Sequence, residues 1–145
     1  MKILLATDGS KFSDAATQTI ISQCQPQGAE VKVLNVVDVS FPIPTLYASE
    51  FREQSLKNGQ AFVRQAEQPL TKAGFKVETA VEEGDPKSKI VEDAARWHVD
   101  LIIVGSHGRK GLERFLMGSV SDAVARHALC SVQVVRLPKN GHRTS

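Results

Sequence analysis

The residues best suited to bind a ligand lie in the last third of the chain. Gly105-Ser106-His107-Gly108 is followed, after nine intervening residues, by Gly118-Ser119. Glycine lets backbone N–H groups approach a ligand with no Cβ in the way, and a helix N-terminus presents unpaired amides and partial positive charge to an anion. Because an apolar segment precedes this stretch and a helix-like segment follows it, the pattern favours a cradle for phosphates. The alternative interpretation is that these are only turn glycines between a strand and a helix.

The glycine spacing differs from the two most familiar phosphate-binding motifs. Gly111 is followed by Leu112 rather than lysine, so the pattern GxxxxGK[ST] is absent. The order GxxGxxG after a late strand also differs from the dinucleotide fingerprint GxGxxG of a first strand-to-helix turn. A phosphate site here must therefore belong to another class.

Several polar side chains near the cradle have two interpretations each. Asp8 follows the first apolar segment and is either a ligand-binding carboxylate or the aspartate of a strand-end turn. Arg109 and Lys110 can approach terminal phosphates, but such residues more often belong to a solvated loop. His107 is expected to form hydrogen bonds within its loop rather than act as a base, because nothing nearby in the sequence is positioned to orient it. No catalytic residue is assigned, and Arg114 is expected on the surface.

The composition is that of one soluble globular domain. The 145 residues are 41% hydrophobic and 23% charged, with a formal net charge of +2. One Trp and one Tyr, with no basic run, argue against nucleic-acid binding. The apolar stretches are too short for a membrane span, and no targeting segment is recognisable, so the expected location is the cytoplasm.

Cysteine and histidine residues predict no further chemistry. Cys24 and Cys130 have no CxxC partner and are expected to be reduced and mostly buried. The four histidines show no metal-ligand spacing, so no metal site is predicted from protein ligands.

Strand-like and helix-like segments alternate along the chain. Strands are predicted over residues 2–7, 30–37, 75–83, 100–104 and 131–136, and helices over residues 13–24, 49–73, 86–98 and 119–127. Ser13-Asp14 is the predicted N-cap of the first helix and Asp85, before Pro86, that of the third. Apolar periodicity predicts the buried faces of the second and third helices, namely Phe51, Ser55, Phe62, Ala66 and Leu70, and Ile90, Val91, Ala94 and Ala95. Gly59 and Pro69 favour a bend or an early end in the second helix.

This alternation predicts an α/β fold of the Rossmann-like kind. We expect a five-stranded parallel sheet with helices on both faces, in a single domain over residues 1–137 with a polar tail over residues 138–145. In such sheets ligands bind at the carboxyl ends of the strands, where the strand order reverses. If the first and fourth strands are neighbours at that point, Asp8 and the glycine loop, about a hundred residues apart, face the same crevice.

Four segments carry a resemblance to a known family. They are Ala6-Thr7-Asp8-Gly9-Ser10, Asn35-Val36-Val37-Asp38, Gly84-Asp85-Pro86, and residues 100–109 continued by Phe115-Leu116-Met117-Gly118-Ser119-Val120. Together these segments resemble the universal stress proteins over nearly the whole chain. The resemblance implies the strand order 3-2-1-4-5 for the Rossmann-like sheet. The spacing Gly-x2-Gly-x9-Gly-Ser is similar to that of the family's ATP-binding branch. Two departures are Ala6 and the Cys130-Ser131 approach to the last strand, where relatives often carry proline.

The resemblance implies an ATP site, with Mg²⁺. Ala6, Thr7 and Asp8 would meet the adenosine, and the Asp8 carboxylate would take a ribose hydroxyl or a magnesium shell. The main chain of Val36 would hold the adenine. The ribose and phosphates would lie against the remaining residues implied, which are Val104, Gly105, Gly108, Gly118, Ser119 and Val120, with Arg109 as a further candidate. A valine at position 118 is expected to abolish nucleotide binding, without unfolding the chain, by colliding with the phosphates.

The implied function is that of a nucleotide-dependent regulatory module in a stress response, with a protein partner that the sequence does not name. One alternative is a slow ATPase or phosphoryl-transfer enzyme, for which Asp8, His107 and Arg109 are the candidates. Another is a dimeric interaction module that binds no nucleotide. The apolar strand Val132–Arg136 is predicted to be an exposed edge, which relatives cover by pairing with a second subunit. We therefore expect a homodimer, against the alternative of a lone edge blunted by Arg136 and Pro138.

Overall fold

Five parallel strands form a sheet that is layered between helices. The structure is a computed structural model, and it describes residues 1–39, 42–109 and 117–137. The elements are β1 (Lys2–Ala6), α1 (Lys11–Gln23), β2 (Glu30–Asp38), α2 (Thr45–Lys72), β3 (Lys76–Gly84), α3 (Pro86–Arg96), β4 (Leu101–Gly105), α4 (Ser119–His127) and β5 (Ser131–Val135). The sheet order β3-β2-β1-β4-β5 is the one predicted. Lys110, Gly111, Arg114 and the predicted tail over residues 138–145 lie outside the described residues.

The central strands are buried on both faces, as their nearly continuous apolar sequence requires. On one face Ile3, Leu5 and Val33 pack against α1 and α2 through residues such as Ile20 and Leu70. On the other face the core brings strand residues together with α3 and α4, namely Leu4, Leu34, Ile102 and Val104 with Ile90, Ala94 and Val124. This packing fixes the ends of β1 and β4 side by side, with Leu5 opposite Ile103.

The first two helices begin earlier than predicted. The N-cap of α1 is Ser10, whose hydroxyl accepts from the Ser13 N–H at 3.2 Å, so the predicted cap at Ser13-Asp14 is wrong. The helix α2 continues through Gly59 and Pro69 to Lys72, so the predicted early end is wrong. Phe51, which was predicted to be buried, is 40% exposed, and no other residue of α2 before Gly59 is buried.

The helix α3 begins as predicted but buries an unpredicted residue. The Asp85 side chain accepts from the Lys87 N–H, and Pro86 occupies the first turn. Ala95 is exposed, whereas Asp93 has no exposed surface. Burial, and then the neighbouring Glu82, raise the pKa of Asp93 to about 6. Arg96 Nη2 lies 2.6 Å from Asp93 Oδ1.

Candidate functional site

A cavity of about 370 Å³ opens at the carboxyl ends of β1 and β4. The strand order reverses between these two strands, which is where ligands bind in open parallel sheets. The structure brings all the sequence-predicted site residues to this one cavity, namely Ala6, Thr7, Asp8, Val36, Val104, Gly105, Gly108, Arg109, Gly118, Ser119 and Val120. It also places there residues that the sequence did not indicate as ligand contacts, namely Ser13, Leu34, Asp38, Pro86, Ile90, His107 and Ser121.

The Asp8 carboxylate joins the two loops that frame the cavity. Its Oδ1 accepts from the Ser10 N–H at 3.0 Å and from the Ser13 hydroxyl at 2.8 Å. Its Oδ2 accepts from the backbone N–H of Arg109 at 2.9 Å. The interpretation of Asp8 as a turn aspartate is therefore confirmed, whereas its role as a ligand-binding carboxylate at the cavity stays a prediction. Its oxygens are already engaged with protein donors, so its first physical role is to hold the glycine loop against α1.

Two glycines of the spaced pattern are required by packing between protein segments. A Cβ on Gly105 would lie 2.7 Å from the Phe12 carbonyl carbon, so only glycine lets α1 approach β4 this closely. A Cβ on Gly118 would lie 3.2 Å from the Cα of His107 and 3.3 Å from the Ser106 carbonyl oxygen. A valine at position 118 would therefore press on the neighbouring backbone as well, and its predicted collision with the phosphates stays a prediction.

Ser106 connects the glycine loop to β5 and α4. Its N–H donates to the Val135 carbonyl at 2.7 Å, and its carbonyl accepts from the Gly118 N–H at 2.7 Å and the Ser121 hydroxyl at 2.8 Å. These bonds hold the N-terminus of α4 at the cavity. The N-cap residue is Gly118, and no described side chain caps the helix. The first N–H groups of α4, on Ser119 and Val120, are therefore available to an anion.

The edge of β2 beyond the end of β1 leaves main-chain groups available at the cavity. The Leu34 carbonyl accepts from the Thr7 N–H at 2.9 Å, which is the last sheet-like bond between these strands. Because main-chain groups alternate sides along a strand, those of Val36 face the same way as those of Leu34, past the end of β1. Val36 thus offers one donor and one acceptor to a flat, hydrogen-bonding ligand.

His107 and Arg109 occupy the loop at the cavity rim. His107 Nδ1 lies 2.9 Å from the Ser106 hydroxyl, and its ring lies 5.2 Å from that of Phe12. The expectation that nothing nearby orients His107 is wrong, since the adjacent serine does so. The Arg109 guanidinium lies 4.8 Å from the centre of the Phe62 ring, and its Nη1 donates to the Asp8 carbonyl at 3.4 Å.

Comparison with known proteins identifies the family. The sequence profile of the Universal stress protein family matches residues 1–136. This chain belongs to the universal stress protein family. The glycine spacing and the Asp8, Val36 and Asp85 segments on which the sequence resemblance depended are thus those of a family member.

Individual relatives agree with this assignment over nearly their whole length. Universal stress protein MJ0531 of Methanocaldococcus jannaschii is 38% identical over 141 residues, covering 95% of this universal stress protein and 83% of the relative. The solved structure of UspA from Lactobacillus plantarum is 28% identical, with a TM-score of 0.84, and covers 94% of this chain and 97% of its own. A universal stress protein solved in complex with cAMP is 25% identical, with a TM-score of 0.71, covering 93% and 96% of the two chains.

The described part of this universal stress protein holds neither a cluster of metal ligands nor a membrane-spanning helix. Within residues 1–39, 42–109 and 117–137, no group of three His, Cys, Asp or Glu side chains could hold a metal ion. In the same part of the chain, no helix combines the length and apolar character needed to cross a bilayer. Cys24 and Cys130 are both free thiols and half-buried.

Proposed function

We propose that this universal stress protein binds ATP in the cavity between β1 and β4 and acts as a nucleotide-dependent regulatory module in the cytoplasm. The observation that carries the proposal is the uncapped N-terminus of α4, with Ser119 and Val120 lining the cavity. Backbone amides at a helix N-terminus complement phosphate oxygens in both geometry and charge. The similar protein solved with cAMP binds an adenine nucleotide on the same fold.

The base end of the cavity fits adenine. The main-chain donor and acceptor of Val36 match the N1 acceptor and N6 donor of adenine without a charged side chain. Leu34, Ile90 and Val104 supply the apolar walls that a planar base requires. The cavity volume of about 370 Å³ is within the range of small-ligand sites.

Mg²⁺ would accompany the phosphates rather than occupy a cage of protein ligands. Mg²⁺ keeps several waters and is usually bound through one or two carboxylates together with substrate phosphates. Asp8 and Asp38 are the carboxylates that line the described part of the cavity. Either can reach a magnesium-bound water while Asp8 keeps its bonds to the loops.

The test is isothermal titration calorimetry with ATP and Mg²⁺ on a pair of variants that differ in charge. Ser119→Asp places a carboxylate in the first turn of α4. The helix dipole stabilises this negative charge, but the charge repels phosphates. We expect ATP affinity to fall by about a hundredfold without loss of thermal stability, equivalent to about 2.7 kcal/mol. Ser119→Asn, which has the same shape as the aspartate and no charge, is expected to stay within about threefold of wild type. Wild-type protein that shows no saturation at millimolar ATP would refute the proposal.

We also propose that the protein is a homodimer paired through the outer edge of β5. Within the part of the chain that the structure describes, this strand pairs with β4 and with no other strand. Because the Val135 carbonyl accepts from the Ser106 N–H, the main-chain groups of Val132 and Val134 face the opposite, outer side. Val134→Pro removes an outer N–H and leaves the ladder to β4, so it should yield a folded monomer by analytical ultracentrifugation. Gln133→Pro removes an inner N–H and should destabilise the fold. A Val134→Pro dimer as tight as wild type would contradict this interface.

Slow ATP hydrolysis is a second candidate, favoured by the position of His107. The Ser106 hydroxyl fixes Nδ1, so the rest of the imidazole is oriented within the cavity rim. Phosphate release that exceeds background over hours and disappears in His107→Gln would establish hydrolysis. Equal release by both proteins would restrict the function to binding.

A further inference from the structure

The geometry points to Arg109 as a phosphate-responsive arm, which rests on Phe62 and moves to the outer phosphates of a di- or triphosphate. This inference rests on the proposed nucleotide site and adds to it a means of distinguishing ATP from AMP. The arm's resting state is directly described, with the guanidinium carbon 4.8 Å from the centre of the Phe62 ring. Phe62 belongs to α2, so the arm ties that helix to the glycine loop.

The base of the arm is fixed, whereas its end is weakly held. The Arg109 N–H donates to Asp8 Oδ2 at 2.9 Å, which anchors the backbone at the rim. The side chain is exposed and, among the described residues, donates one long bond, 3.4 Å from Nη1 to the Asp8 carbonyl. A cation over a half-buried aromatic ring such as that of Phe62 is a weak interaction, while charge-assisted bonds from arginine to phosphate oxygens are short, strong and often bidentate. A phosphate within reach of the guanidinium therefore replaces the Phe62 ring as its partner.

The ring platform is itself held in place by a close approach to the first loop. A Cβ on Gly9 would lie 2.3 Å from the Phe62 ring, and Gly9 has a φ of +78° that favours glycine. The absence of a side chain at position 9 lets Phe62 cover the β1–α1 loop next to Asp8. The Phe62 ring that the guanidinium contacts is therefore held next to the first loop.

The charges around the cavity explain why the position of the Arg109 side chain should depend on the number of phosphates in the ligand. Among the described residues that line the cavity, Arg109 is the one lysine or arginine, and the lining also includes two carboxylates, Asp8 and Asp38. The first phosphate of a nucleotide can be bound by the α4 amides alone. Each additional phosphate adds negative charge beyond those amides, and Arg109 is the described cation that can neutralise it.

The first experiment follows the guanidinium directly by NMR of the Arg109 Nε–Hε group. A proton above an aromatic ring experiences a ring-current shift, so leaving Phe62 moves the resonance towards its position in the Phe62→Leu variant. We expect this movement with ATP and with inorganic tripolyphosphate, but not with AMP. A resonance that stays in place with both triphosphates would overturn the inference.

The second experiment compares affinities by calorimetry in wild-type protein and four variants. Arg109→Ala should lower the ratio of ATP to AMP affinity about tenfold, as expected for one lost charge-assisted interaction. Arg64→Ala, which removes the same charge from an exposed position on α2, should leave that ratio within about twofold. Phe62→Leu should strengthen ATP binding two- to threefold, roughly the gain from removing a weak competitor, and should have no such effect in the Arg109→Ala background.

The outcomes separate this inference from the proposed function. An unchanged ratio in Arg109→Ala, or an equal effect of Phe62→Leu in both backgrounds, would overturn the arm while leaving the nucleotide site intact. If wild-type protein binds neither ATP nor AMP, the proposed function fails. In that case the NMR spectrum recorded with tripolyphosphate tests the arm by itself. A shift of the Arg109 resonance supports the arm, and an unchanged resonance refutes it.

Discussion

Replacing Asp8 by asparagine tests how the two loops of the site are held together. The carboxylate accepts three hydrogen bonds, from Ser10, Ser13 and Arg109. An amide has one acceptor oxygen, so if it serves Ser10 and Ser13 its NH₂ group must face the Arg109 N–H, donor against donor. The opposite orientation loses the Ser10 bond instead. At least one bond to a charged acceptor is lost in either case.

The magnitude follows from the half-buried position of this side chain. Hydrogen bonds to charged groups contribute about 1.5–3 kcal/mol, and partial exposure favours the lower end. We expect Asp8→Asn to lower the free energy of unfolding by about 1.5–2 kcal/mol, which for a chain of this length corresponds to a Tm about 5 °C lower. Because the glycine loop is no longer held against α1, ATP affinity should also fall, by about tenfold.

Urea denaturation and amide hydrogen exchange check this prediction. Exchange at the Arg109 amide should accelerate in Asp8→Asn, while amides in the centre of β4 change only by the global loss of stability. Asp14→Asn is a control that removes the same charge. It loses no hydrogen bond to Gln65, because the amide oxygen can still accept from Gln65 Nε2. If Asp8→Asn retains wild-type stability and Arg109 protection but loses ATP affinity, then Asp8 acts as a direct ligand, and its role in holding the two loops together is refuted.

Two further predictions concern stability. Burial raises the pKa of Asp93 to about 6, so its contribution to stability is fully present below its unfolded pKa and is lost as pH rises through about 6. The stability of Asp93→Asn relative to wild type should therefore increase by about 2 kcal/mol between pH 4 and pH 7.5 in urea titrations, and a constant difference would contradict this. Gly105→Ala should lower Tm by several degrees, about 2 kcal/mol, because the new Cβ meets the Phe12 backbone at 2.7 Å. Gly28→Ala, whose Cβ would have no neighbour within 4 Å, should be nearly neutral, and equal Tm values for the two variants would refute the packing argument.

The parallel sheet and the place of the site follow from the sequence because several independent signals agree, whereas the strand order was implied by the family resemblance. Apolar β-branched runs joined by helices indicate a parallel sheet. The glycine spacing after the fourth strand indicates a site at the carboxyl ends of the strands. The bounds of α4 are those predicted, Ser119–His127, since the sequence supplies a glycine before the helix and basic residues in its last turn. Family resemblance then led to eleven of the residues that line the cavity.

The errors have local physical causes. Ser10 and Ser13 are both good N-cap residues, and only the tertiary bond from Ser13 to Asp8 decides between them. No residue of α2 before Gly59 is buried, so Phe51 continues the apolar spacing of the helix without being buried. Asp93 is buried on a helix face where the sequence pattern admits only apolar residues, and its neighbours Glu82 and Arg96 become visible only in three dimensions.

The roles of the glycines depend on their spatial neighbours and so escape sequence reasoning. The spacing of Gly105 and Gly118 correctly located the cavity. However, a side chain at either position would first meet protein, the Phe12 backbone in one case and the 106–107 backbone in the other. The same residues thus bring α1 and α4 close to the loop, and by doing so aim the α4 amides into the cavity.

A crystal structure of the protein with ATP and Mg²⁺ tests the central claim most directly. We expect adenine hydrogen-bonded to the main chain of Val36 and phosphate oxygens on the N–H groups of Ser119 and Val120. Nucleotide bound elsewhere on the chain, or bound in the cavity with its phosphates directed away from the N-terminus of α4, would contradict it.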